Sequence, residues 1–202
     1  VLTCDAIAAE LRAGSELLRA RDASRPARHA SIEQVFEQSW HRLAPAERDV
    51  LARLSVFQGG FSAEAARAVA KAPLPVLGAL ADKSLLRKDG ARLWLHPLVQ
   101  QFAAARLDPA AGEAARADHA DYFHRLIAQW RPAAQNGDRQ VLQALDTELE
   151  NGRLAWQWAV AQGAAAVVRD LTDALQIHLD HRGRSEECLA LLRRALPMFS
   201  GD

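Results

Sequence analysis

The sequence predicts a mainly helical fold, all-α apart from one small β-hairpin. Three observations predict it. Alanine fills 42 of the 202 positions and arginine 22, while lysine appears only three times; Ala, Leu, Arg, Glu and Gln head the helix-propensity scale. One tyrosine and six phenylalanines leave few of the aromatic side chains that strands favour. One Asp-Gly pair, Asp89-Gly90, stands between two short apolar segments, which is the signature of a tight hairpin.

The elements follow in order. Residues 3–21 read as a helix, with Thr3 as N-cap and Ile7, Leu11 and Leu18 on one face. The string DASRPARHAS is a basic linker and a candidate hinge. Ser31 and Gln34 then form a capping box ahead of the apolar stripe Ile32, Val35, Phe36 and Trp40. Pro45 suits a first helical position, and its helix extends to about Val56. The QGG string at 58–60 reads as a turn. Ser62 caps a short helix through Val69, and KAPLP breaks it. A third helix is expected over about 76–83. Segments 85–87 and 92–95 flank Lys88-Asp89-Gly90-Ala91 as the hairpin. Three short helices followed by a hairpin is the element order of a winged helix.

A helix opening at Pro97 carries Leu98, Val99, Phe102, Ala103 and Leu107 on one side. From about residue 110 to 196 the pattern is helical throughout. One helix holds His119, Tyr122, Phe123, Leu126 and Trp130. The next holds Leu145, Leu149, Trp156 and Trp158, with a break near Asn151-Gly152. Gly163 and Gly183 end helices, and the last one turns Leu189, Leu192 and Leu196 inward. Antiparallel helices joined by short glycine turns make a helical-repeat array, TPR-like in architecture. The predicted domains are therefore 1–43, a helical segment and linker; 44–108, the winged helix; and 109–202, the TPR-like helical array.

Charge and apolarity exclude several classes. The chain has 25 basic and 25 acidic residues, so it lacks the excess positive charge of a strongly electrostatic nucleic-acid binder. The neutrality is a cancellation: residues 44–107 hold nine basic against five acidic residues, and 108–202 hold ten against fourteen. No apolar run reaches the roughly 20 residues that span a bilayer; the stretch 155–168 is interrupted by Gln157, Gln162 and Gly163. No signal-peptide pattern is visible at the start. Cys4 and Cys188 form no CxxC pair, so a reducing, cytoplasmic setting is expected. The chain opens on Val1 and reads as a piece of something longer.

No pattern for catalysis is present. GxxxxGK[ST], GxGxxG, HExxH and GxSxG are all missing. His119 and His124 lie on different helical faces. His178 and His181 share a face near Asp180 but read as solvated or core-capping histidines. Glu148 and Glu150 read as a solvated helix face, and Trp130, Trp156 and Trp158 as core. The third helix, LPVLGALADK, is mostly apolar. A base-reading helix needs Arg, Asn, Gln or Lys aimed at base edges; the wing charges Arg87, Lys88 and Arg92 do not replace one, so direct DNA binding is not expected. An apolar outer face suits packing against another domain.

The strings SIEQVFEQSWHRLAPAERDVLARLSVFQGGFSAEAARAVA, VLGALADKSLL and LWLHPLVQQFAAARL resemble the winged-helix region of bacterial STAND-type signalling ATPases. These are NB-ARC-like proteins, many of them transcriptional regulators of the MalT or antibiotic-regulatory kind. LDTELENGRLAWQWAVAQG and HRGRSEECLALLRRAL resemble the helical region that follows. The likeness covers roughly residues 15–196.

The resemblance implies a non-catalytic regulatory fragment, in which the winged helix relays nucleotide state. It implies an upstream nucleotide-binding domain as partner within the parent chain, and a protein or small-molecule effector at the helical region. It implies ATP or ADP in the parent and no cofactor in this stretch, which lacks the nucleotide-binding core. It also implies a phosphate-sensing histidine at the end of the wing. The matching string is Leu95-His96-Pro97, so His96 is the candidate, with Pro97 where that family carries an acid. Two other readings are kept: a DNA-binding winged-helix regulator with a helical dimerisation domain, and a plain protein-interaction scaffold.

Overall fold

The computed structural model describes residues 36–199. The chain divides into two compact units, 1–43 and 44–202. In the first, residues 36–41 are helical, and the turn after them closes with Arg42 N–H donating to Ser39 O (3.2 Å) and Leu43 N–H to Trp40 O (3.1 Å). The helix expected over 3–21, the basic linker, the Ser31–Gln34 capping box and Cys4 lie outside the described residues.

The second unit begins with α1 (Pro45–Leu54). Its N-cap, Ala44, has no side-chain acceptor, so Glu47 supplies one. Glu47 Oε2 accepts from Ala44 N–H at 2.7 Å and from Lys83 Nζ at 2.6 Å. The bond from Lys83, and then that from Ala44, hold the Glu47 carboxyl below the usual carboxylate range. β1 (Phe61–Ser62) follows, a strand too short to register as alternation. Ser62 Oγ caps α2 (Ala63–Ala70) by accepting from Ala65 N–H at 3.0 Å.

α3 (Leu74–Asp82) starts two residues earlier than the sequence suggests. The KAPLP string opens the helix instead of only breaking the previous one: Pro73 caps it and Pro75 lies in its first turn, where proline's fixed φ is preorganised and its missing N–H costs nothing.

The hairpin is β2 (Leu86–Asp89) and β3 (Arg92–Leu95). Asp89 pairs with Arg92, so the turn is Gly90-Ala91, one residue later than an Asp-Gly turn. Gly90 takes φ +59° and Ala91 stays outside positive φ, as a turn that needs glycine only at its first central residue requires. β1 pairs antiparallel with the other edge of β3, giving sheet order β1-β3-β2. Three helices with this sheet form the expected winged helix. α4 (Pro97–Ala104) leads out of it.

The array consists of α5 (Pro109–Gln135), α6 (Arg139–Ala161), α7 (Ala165–His181) and α8 (Ser185–Ala195), followed by a 3-10 turn at Leu196–Met198. Asp108 and Asp138 cap α5 and α6: Asp108 Oδ1 accepts from Ala111 N–H at 2.9 Å, and Asp138 Oδ1 from Gln140 N–H at 2.8 Å. Phe123, Ile127, Trp156, Leu171, Leu175 and Leu179 are buried between these helices.

Four expectations need correction. α6 runs unbroken through Asn151-Gly152. A Cβ on Gly152 would lie 2.8 Å from Ile127 Cδ1, so this glycine marks the close approach of α6 to α5 and not a helix end. Glu148 is buried, not solvated; only Glu150 is exposed. Of the tryptophans read as core, Trp156 is fully buried, while Trp130 and Trp158 are half-buried, and Trp158 turns its Nε1 to Glu113. On α8 and at the start of the turn after it, Leu189, Leu192 and Leu196 are exposed, and the inward positions are Cys188 and Ala195. The buried stripe of α8 lies one position N-terminal to the expected one.

Candidate functional site

His96 is the N-cap of α4. Its backbone is extended (φ −65°, ψ 137°), and its Nδ1 accepts from Leu98 N–H at 3.2 Å. Because Nδ1 is the acceptor, the proton of the neutral ring sits on Nε2, which is then a donor. The imidazole is exposed. Pro97 removes one N–H from the first turn and His96 takes the next, so the start of α4 itself offers little to an anion. What this position presents outward is the Nε2–H of His96.

The outer face of α3 carries no base-reading side chain. Leu77 and Leu80 are buried, while Leu74, Pro75 and Gly78 face solvent, Leu74 at 66% exposure. On the wing, Arg87 and Lys88 are exposed, and Arg87 faces Asp89 at 3.6 Å. Arg92 turns inward and is mostly buried, its side chain 21% exposed.

Arg92 belongs to a buried polar joint that ties the winged helix to the array. Its Nη1 donates to Glu148 Oε1, and its Nη2 to Glu148 Oε2 (3.1 Å) and to the Gly60 carbonyl. Next to it, Asn151 is 1% exposed. Asn151 Nδ2 donates to Gly60 O at 3.1 Å and to Glu148 Oε2 at 3.0 Å. Its Oδ1 accepts from Gln58 N–H at 3.0 Å and pairs with His119 Nε2 at 3.3 Å. One amide thus uses its two hydrogens and both carbonyl lone pairs, its whole bonding capacity. Since Oδ1 can only accept, His119 Nε2 is the donor. Burial pushes the His119 imidazole down to about 4, offset in part by this bond to Asn151.

Apolar contacts close the same joint. Phe57 stacks on Phe61 with ring centroids 4.3 Å apart, and meets His119 and Phe123 edge-on at 5.3 and 6.2 Å. Gly60 lies under the Trp94 indole, where a Cβ would come within 2.6 Å of the ring. Arg92 approaches the Trp94 ring at 6.0 Å. Gln100 Nε2 donates to the Ser55 (3.1 Å) and Phe57 (2.6 Å) carbonyls and so fixes the loop after α1.

The sequence singled out His96 and named Arg92 only as a wing charge. It missed Gly60, His119, Glu148 and Asn151 as partners. The one available signal was a polar Asn151-Gly152 pair inside an otherwise apolar helical stripe. Among the described residues no group of His, Cys, Asp and Glu is arranged to hold a metal ion, and no helix is long and apolar enough to cross a membrane.

The architecture defined so far is a winged helix fused through a buried joint to an antiparallel helical array. No family model matches the chain. Three relatives, two from Mycobacterium tuberculosis and one from Mycobacterium bovis, are each 29% identical to it over 160 residues. They are named, by inference, as HTH-type transcriptional regulators. The match takes in 74% of this chain and 18% of each relative, so the chain spans under a fifth of their length. Among solved structures, a STAND protein with a tetratricopeptide repeat sensor from Pyrococcus horikoshii aligns over 87% of this chain and 28% of its own, at 18% identity and a TM-score of 0.44.

Proposed function

We propose that the protein is a non-catalytic regulatory segment of a STAND-type signal-transduction ATPase that controls transcription in the cytoplasm. Its winged helix relays the nucleotide state of an upstream nucleotide-binding domain, and its helical array binds a ligand or partner protein. The observation that carries this reading is the joint: one of the three wing cations, Arg92, is spent on Glu148 and the Gly60 carbonyl. A winged helix used in this way transmits position instead of reading DNA. The apolar outer face of α3 supports the same reading, because it offers bases nothing to bond with. The relatives' names support the regulatory role.

In this reading His96 reports on nucleotide through its Nε2–H, a donor suited to a phosphate oxygen. Relay demands that nucleotide and effector bias one two-state equilibrium, and a firmly joined winged helix and array would carry that bias between them. The test is ADP retention by the full-length parent. His96→Ala should release ADP faster than the unaltered protein. Unchanged retention and unchanged output would leave only the interaction-scaffold reading. A gel shift checks the DNA-reading alternative: salt-sensitive binding of duplex DNA by the 202-residue chain would replace relay with direct readout.

A further inference from the structure

A groove of about 670 Å³ opens between the first half of α6 and the end of α7, lined by Arg139, Leu142, Asp146, Thr147, His181 and Arg182, among others. That volume falls within the range of small-molecule sites. Its charge is lopsided. Asp146 already pairs with Arg182, and Arg139 has no ion-pair partner among the described residues. Arg139 and Arg182 against Asp146 leave the groove with an excess of one positive charge.

Behind Asp146, outside the lining itself, lies a buried polar group. His178 is fully buried. Its Nε2 lies 3.0 Å from Asp146 Oδ1, yet off the line a hydrogen bond requires, so both ring nitrogens lack a hydrogen-bond partner. Burial, with Arg184, Arg153 and His181 adding to it, holds this imidazole below its ordinary pKa and therefore neutral. A fully buried, unbonded imidazole directly behind a lining carboxylate is rare in a finished core.

We propose that this groove binds a small organic anion, whose carboxylate or phosphate group pairs with Arg139 beside the Arg182–Asp146 pair and whose carbon skeleton lies on Leu142. A guanidinium fork matches either head group. Thr147 and His181 supply further hydrogen-bonding groups at the walls. The inference rests on the reading of the array as the effector-binding part, and names the site and the chemical class of ligand.

The test is an NMR titration of the isotope-labelled 202-residue chain with glutarate, with inorganic phosphate and with neutral glutaramide, at constant ionic strength. Saturable shifts at Arg139, Gln143, Thr147 and His181 are expected with glutarate or phosphate, and none with glutaramide. Whichever anion binds more tightly assigns the head group. Arg139→Ala should weaken that binding about tenfold and leave resonances elsewhere in place, because Arg139 is exposed and holds no structural contact. Absence of saturable shifts with both anions, shifts equally strong with glutaramide, or unchanged affinity in Arg139→Ala would each overturn the proposal. None of these outcomes bears on ADP retention in the parent, so the relay reading stands or falls separately.

Discussion

Single residues at the joint carry unequal weight, and the geometry ranks them. At Gly60 an added methyl would meet the Trp94 indole at 2.6 Å, and a rigid, half-buried ring can clear it only by turning as a whole. Gly60→Ala should destabilise by about 2 kcal/mol. At Gly152 the obstacle is the flexible tip of Ile127, and alanine recovers about 1 kcal/mol of helix propensity. Gly152→Ala should therefore be near neutral, and urea unfolding of both variants checks the contrast. His119 sets a pH response. Its folded pKa of about 4 lies below the unfolded value near 6.5, so the fold favours the neutral ring. That stabilisation is complete above pH 6.5 and is lost as pH falls towards 4; it amounts to about 3 kcal/mol. In His119→Gln the dependence of unfolding free energy on pH between 6.5 and 4 should flatten. An undiminished slope would mean that other groups govern acid sensitivity.

Elements differ in how far the sequence revealed them. The helices of the array were legible because apolar residues recur at helical spacing and aspartates stand at their caps. The hairpin was legible from Asp89-Gly90, although its turn is one residue further on, because β3 pairs through to Arg92. β1 was not legible: two residues cannot display a period, and only pairing with β3 makes Phe61–Ser62 a strand. The joint was hidden for a related reason. Gly60, Arg92, His119, Glu148 and Asn151 come from four separate stretches of chain, and only tertiary packing brings them together. Glu148 looked solvated because Glu150 is, and its partner lies 56 positions away. The link between β3 and α6 should be measurable as an energy. In a double-mutant cycle of Arg92→Ala and Glu148→Ala, each single variant should lose about 2–3 kcal/mol, since it strands a mostly buried charge. The pair should lose clearly less than the sum. Strict additivity would show that the bridge contributes nothing to the joint.

At the scale of residues 44–202, the winged helix and the array form one compact unit. The polar joint and the Phe57–His119–Phe123 contacts cross between them, so unfolding either part would expose the buried amide of Asn151 and the Arg92–Glu148 pair of the other. That interdependence is the central claim, because a relay needs its two parts to move together. Native-state hydrogen exchange of the 202-residue chain in increasing denaturant tests it most directly. Amides of Leu51 and Leu54 in α1 and of Leu171 and Leu175 in α7, all buried, should exchange through one global opening with the same free energy and denaturant slope. Two distinct opening energies, with one part exchanging while the other stays protected, would contradict the account.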